Sequence, residues 1–294
     1  MPLRAARPVF AALAAALLAA PLAAQQDNAC HLLQNRHVTV VGEEPNRVGY
    51  VSGPLLVNCD RGESLRSDSA VVFTTTHEVQ LYGRVDYQDP TRALTSDYAT
   101  YNSQTGRLYA RGSVVFTDKE RGSTLRGPEL EYFRQMEGRP EAQMIAPGRP
   151  HLTLVPKAEP GKPRRDPMEV DGDRITTVGN RYMSSEGNVV IHGKDLNAHS
   201  AEAFYDADQD RLELRRQANI VGQKFNLTGD FIETTMKDGK IQRVLARTDA
   251  HLVSDKLRVD GPLLTLFFAD DKLQRLVAAP GTRGGPGAGT ARPP

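Results

Sequence analysis

The sequence predicts an all-β protein of stacked antiparallel strands, and three observations carry that prediction. A nine-residue unit with apolar or small residues at alternate positions recurs along the chain. A second, shorter pattern precedes each copy, with successive starts about 30 residues apart. Polar turn sequences fall between the two. Strict period-two alternation marks a strand with one buried face. Past the N-terminus no stretch carries a convincing helical period.

The first residues read as an address. Arg4 and Arg7 form a basic start, Val9 to Ala20 is an unbroken run of twelve apolar residues, and Pro21 with Ala23 and Ala24 offers small residues for cleavage. The first acid is Asp27. This is the pattern of a secretory signal peptide over residues 1–24, and it sends the chain to the periplasm. The alternative is a retained anchor, for which twelve apolar residues are short. The 294-residue chain has a formal charge of +1, which becomes −1 once Arg4 and Arg7 are gone. A general nucleic-acid binder would need a basic excess, so nucleic acid is not an expected partner.

Cys30 and Cys59 are the two cysteines. In an oxidising compartment an even pair most simply forms a disulfide. The alternative is two free buried thiols.

The nine-residue unit runs Val79–Tyr87, Leu108–Phe116, Met144–Leu152 and Met183–Ile191, with weaker copies at Leu212–Ile220 and Val244–Leu252. Gly83, Gly112, Gly148 and Gly187 share its central slot, as a bulge, bend or close backbone approach would require. The shorter pattern starts at Leu65, Leu94, Leu125, Met168, Leu196, Leu227 and Leu257, with Asp often at its fourth position. Its inward phase changes parity around that residue, which predicts a corner there. Starts are 29, 31, 43, 28, 31 and 30 residues apart. The outlier holds a twelve-residue Pro/Lys/Arg-rich stretch, 156–167, without which the gap would be 31. Seven two-strand units of about 30 residues make a repeat architecture.

Turns agree with this. Asn102–Gly106, Asp206–Asp210, Lys237–Lys240 and Asp270–Lys272 each separate the two strands of a unit. The expected organisation is a first set of repeats over 30–155, a linker or inserted loop over 156–167, and a second set over 168–278. A Gly/Pro-rich tail over 279–294 is expected to be disordered.

Catalytic signatures are missing from the sequence: it holds no G-x-S-x-G, H-E-x-x-H, P-loop or G-x-G-x-x-G. The seven histidines are scattered without ligand spacing. Asp206-x-Asp208-x-Asp210 begins like a calcium loop, but Arg211 and Gln217 replace the Gly and Glu that such a loop needs. Asp68, Asp97, Asp171, Asp230 and Asp260 share one slot and read as corner residues bonding nearby backbone N–H groups, not as catalytic pairs. Tyr101 and Tyr132 read as inward-packing core. No enzyme activity, cofactor or metal is expected.

The run Leu94–Tyr101, a polar turn, then Leu108–Phe116 resembles the repeat of the OstA-like family, over roughly Leu65 to Ala278. That family includes the lipopolysaccharide-transport protein LptA, the related LptC and the N-terminal domain of LptD. The resemblance implies a β-jellyroll of stacked antiparallel strands, open along one side, whose apolar interior takes lipid acyl chains. It further implies end-to-end joining with LptC-like and LptD-like partners of the same fold, or head-to-tail self-association. The expected role is bridging lipopolysaccharide, or a related glycolipid, from inner to outer membrane. An LptC-like acceptor is the alternative within the class, and a lipid-free β-solenoid envelope scaffold the alternative outside it. A polysaccharide-processing β-solenoid enzyme is a third reading.

The alternation places Val85, Tyr87, Val114, Phe116, Val189, Ile191 and Ile220 on the inward, lipid-facing side. A twelve-carbon chain buried there would contribute ~10 kcal/mol before ordering costs, at ~0.8 kcal/mol per CH₂. Terminal strands of an open jellyroll expose unpaired backbone. The apolar stretch with Leu263, Leu264, Leu266 and Phe268 is the expected docking edge.

Overall fold

The computed structural model describes residues 30–60, 62–156, 165–194, 196–222, 224–237, 239–269 and 272–286. The signal segment 1–24, most of the 156–167 stretch and the end of the tail lie outside those residues. Every regular element described is a β-strand, and consecutive long strands pair antiparallel. The chain divides into two compact units between Ala146 and Pro147, ahead of the 156–167 stretch.

In the first unit, β1 (Cys30–Gln34) and β2 (His37–Val41) both pair with β3 (Val48–Cys59). A meander follows through β4 (Ser64–Phe73), β5 (Glu78–Gln88), β6 (Arg92–Asn102), β7 (Arg107–Asp118) and β8 (Thr124–Phe133) to β9 (Gln143–Pro147). In the second, β10 (His151–Leu154) pairs with β11 (Met168–Asp171). β11 and β12 (Arg174–Val178) lie against the end and the start of β13 (Tyr182–His192), so together they equal one long strand. The meander continues through β14 (Leu196–Asp206), β15 (Arg211–Gly222), β16 (Phe225–Lys237), β17 (Lys240–Ser254) and β18 (Leu257–Ala269). β19 (Lys272–Ala278) and β20 (Arg283–Pro286) complete it.

Each alternating strand turns a corner at its centre through two consecutive left-handed residues. The pairs are Gly83-Arg84, Gly112-Ser113, Gly148-Arg149, Gly187-Asn188, Arg216-Gln217 and Thr248-Asp249. The register against the neighbouring strand slips at each of them where a ladder spans it, which is how an extra residue bends a strand. Parity changes across the corner as the alternation requires: Ser96 and Ala99 are both buried although three residues apart.

The glycines at three corners have a steric cause. A Cβ on Gly83, Gly112 or Gly187 would collide with the carboxylate of Asp68, Asp97 or Asp173 on the preceding strand. In the Met168 repeat the corner aspartate is therefore Asp173, not Asp171. Asp171 instead faces His151, with Nδ1 to Oδ1 at 3.1 Å. In the last repeat Pro262 stands opposite the bulge, and Asp260 pairs with His251 at 2.7 Å. Asp68, Asp97 and Asp230 do lie in the corner register.

Two further differences concern the C-terminus. Part of the expected tail is ordered, since β20 pairs with the start of β18. The remaining half of β18 pairs with β19. The stretch expected to be a docking edge is therefore paired on both sides. Leu264, Leu266 and Phe268 are buried because their alternation points them into the core, and Leu263, of the opposite parity, is half-buried.

Candidate functional site

The corners decide where a site can form. By folding each long strand in half, they bring its two ends face to face across the interior. On β7, Leu108 and Phe116 sit at opposite ends of the alternating stretch, yet both line one cavity. Phe116 meets Tyr132 from the far end of β8 with ring centroids 5.6 Å apart.

That cavity lies within the first unit and measures about 120 Å³. Its apolar walls come from Val57, Leu65, Leu81, Val85, Leu94 and Ala99, with Tyr87, Tyr101, Phe116 and Tyr132 adding aromatic surface. A dry apolar cavity of ~150 Å³ accepts a benzene-sized group. This slot therefore has room for a stretch of acyl chain, though not for a whole multi-chain lipid at once.

Polar groups stand among these walls: Ser64, Asp89, Arg92 and Arg134. Asp89 is committed to the turn between β5 and β6. Its Oδ1 accepts from Thr91 N at 2.7 Å, Thr91 Oγ1 at 2.8 Å and Arg92 N at 2.7 Å, and its Oδ2 accepts from Tyr87 Oη at 3.0 Å. Burial, and then the charge of Asp89, push the Tyr87 phenol well above its ordinary range. Burial raises Tyr101 and Tyr132 in the same direction, with nearby arginine charge opposing it. The Arg92 guanidinium lies 5.1 Å from the centre of the Tyr132 ring. Tyr132 Oη and Arg134 Nε are buried with no hydrogen-bond partner.

The second unit has an interior of its own. Leu212, Leu214, Ile220, Leu227, Ile232 and Leu252 are fully buried there beside Ala198, Ala203 and Ala246, while the first unit fully buries Leu94, Leu125 and Leu130 beside Ala99 and Ala110. A wider cavity of about 370 Å³ lies at the β12–β15 strand ends, and its lining mixes Val178, Met183, Phe204 and Tyr205 with Asp206, Arg211, Glu213 and Arg215. Arg211 and Arg215 both pair with Glu213 there, at 3.1 and 2.7 Å.

The residues expected to face lipid thus separate into two groups. Val85, Tyr87 and Phe116 line the first-unit cavity. Val114 is buried but does not line it. Val189, Ile191 and Ile220 are fully buried in the second unit's core. Asp89, Arg92 and Arg134 escaped the sequence reading because they sit at turns and strand ends, outside the alternating pattern. The Asp89-Pro-Thr-Arg92 turn sequence was the available signal.

Among the described residues no cluster of three or more His, Cys, Asp or Glu side chains could hold a metal ion. No helix there is long and apolar enough to cross a membrane.

No protein-family model matches the chain. No curated protein matches it either. Among solved structures it is similar to LptH of Pseudomonas aeruginosa, described as the LptA-homologous periplasmic component of the lipopolysaccharide transport device. That similarity has 14% sequence identity and a TM-score of 0.27, over 53% of this chain and 82% of LptH.

Proposed function

We propose that this protein is a non-enzymatic, periplasmic lipid carrier that bridges lipopolysaccharide or a related glycolipid between the membranes. In this reading an acyl chain enters the slot of the first unit. The observation that carries it is the cavity itself, apolar on its walls, with unpartnered polar groups among them. At ~0.8 kcal/mol per methylene, about four buried methylenes contribute ~3 kcal/mol. Such holding is strong enough to retain a chain and weak enough to pass it on. Partners of the same fold, LptC-like and LptD-like, or a second copy, would exchange the cargo.

The test is lipid analysis of the mature protein purified from periplasm without detergent. Acyl lipid should co-purify and be detected by mass spectrometry, and its absence from protein with an intact fold would remove the reading. A lipid-free scaffold is the second reading, and the full burial of Val189, Ile191 and Ile220, which line neither cavity, favours it for the second unit.

The proposal extends to the N-terminal strand. β1 pairs with β3 so that Cys30 stands directly opposite Cys59. Opposed residues in an antiparallel pair have Cα atoms ~4.5–5.5 Å apart, within the span of a disulfide. We place the disulfide there, consistent with an oxidising compartment.

A further inference from the structure

The lipid-slot reading leaves one feature of the first unit unexplained. Arg92 and Arg134 both line a mainly apolar cavity, and among the described residues neither has a carboxylate partner. Asp89, the acid that lines the cavity, has both oxygens engaged by the turn and by Tyr87. Several other arginines are ion-paired, Arg84 with Asp68, Arg107 with Glu131, Arg165 with Asp210 and Arg243 with Glu233, while Arg111, Arg247 and Arg275 lie over aromatic rings outside this cavity.

The two arginines approach Tyr132 from opposite ends of the folded strands. Arg92 opens β6 and lies over the Tyr132 ring, while Arg134 follows the end of β8. Both act electrostatically on the Tyr132 phenol, as does Arg139. Arg139 is itself tied to the backbone through Arg134 O and Thr105 O, at 2.8 and 2.7 Å. Two polar atoms of this group, Tyr132 Oη and Arg134 Nε, are buried with no hydrogen-bond partner among the described residues. A buried donor without an acceptor is costly unless something else supplies one. Cations collected at an apolar wall, with spare N–H and O–H donors, match one ligand chemistry: an anionic oxygen cluster carried by an apolar chain.

We propose that Arg92 and Arg134, with the Tyr132 hydroxyl, form a head-group subsite for a phosphate or carboxylate whose alkyl chain occupies the slot. This rests on the lipid-slot reading and deepens it, because it makes the ligand an anionic amphiphile and not merely an apolar one. The guanidinium forks supply paired donors to two oxygens, and the phenol supplies a third. Asp89 lines the same cavity and its charge also reaches Tyr132, but its oxygens are held by the turn and by the Tyr87 hydroxyl, so the two guanidinium groups remain the donors free for an anion.

The experiment compares octyl phosphate, octanoate and octyl glucoside, each below its micellar concentration, binding to the full-length mature protein. Chemical-shift changes in the first unit would report the affinity. The anionic pair should bind about tenfold or more tightly than the glucoside, as charge-assisted bonds imply. That advantage should shrink as salt is raised. In Arg92→Gln/Arg134→Gln the ratio of anionic to glucoside affinity should fall to about one, and Arg92→Lys/Arg134→Lys should keep part of the preference. Tighter binding of octyl phosphate than octanoate points to a phosphate-bearing lipid, and the reverse to a free fatty acid. Equal affinity for all three in the unmodified protein would overturn the subsite and leave the apolar slot standing. Binding of none would overturn both, and neither of these outcomes depends on a variant folding.

Discussion

A Cβ built on Gly83 would stand 3.0 Å from Asp68 Cγ and closer still to its Oδ2, so the corner of β5 closes only around a hydrogen. The same relation joins Gly112 to Asp97 and Gly187 to Asp173. The positive φ at each glycine adds a second reason, since left-handed backbone costs a substituted residue ~1–2 kcal/mol.

Gly83→Ala and Gly112→Ala should therefore each destabilise the protein by about 2 kcal/mol or more, read as a lower urea midpoint. Thr248→Gly should act oppositely, gaining about 1 kcal/mol, because Thr248 holds φ 60° with a branched side chain. Unchanged midpoints in all three would show that the corners are not under this constraint.

Val85 and Phe116 line the first unit's slot, whereas Val189 and Ile220 are fully buried and line neither cavity, which gives unequal crosslinking. A photoreactive residue at Val85 or Phe116 should capture acyl lipid in the periplasm, while one at Val189 or Ile220 should not. Equal capture at all four positions would mean that the second core opens in solution.

The buried phenols make the protein sensitive to alkali. Tyr87, Tyr101 and Tyr132 have folded pKa values raised above the unfolded value of about 10. Their contribution is intact below pH ~10 and is lost as pH climbs toward the folded values, because only the unfolded chain releases those protons readily. Tyrosinate absorbance should then rise in a cooperative step together with loss of the β-sheet circular dichroism signal. A smooth titration preceding unfolding would contradict the burial of these hydroxyls.

Cys59→Ser should cost ~3 kcal/mol, as expected for opening a loop of about 30 residues. Thiol labelling of the unfolded, unreduced protein should find no free cysteine. Two reactive thiols under those conditions would remove the proposed link between β1 and β3.

Much of this fold was legible in the sequence because period-two alternation is a direct image of a half-buried strand. Val79, Leu81 and Val85 could be assigned inward from spacing alone, and all three are buried. The corner was legible wherever glycine marked it. It went astray at Asp171 and Asp260 because the slot counted from Met168 and Leu257 falls two residues short of the true corners, Asp173 and Pro262. At Arg216-Gln217 and Thr248-Asp249 the left-handed pair contains no glycine and left no mark. The candidate site was half legible. Tyr87 and Phe116 belong to the repeat, whereas Arg92 and Arg134 are identified only by which ends the corners bring together.

The two covers of β18 make the chain's last edge a step. β20 lies along Leu257–Asp260 and β19 along Leu264–Ala269, so no single straight rail of free backbone runs the length of that strand. A stepped boundary works as a key: a strand added beyond β19 meets the flank of β20 if it slides too far, and only one alignment lets it lie full length. Any chain that extends this sheet is thereby held to a fixed offset.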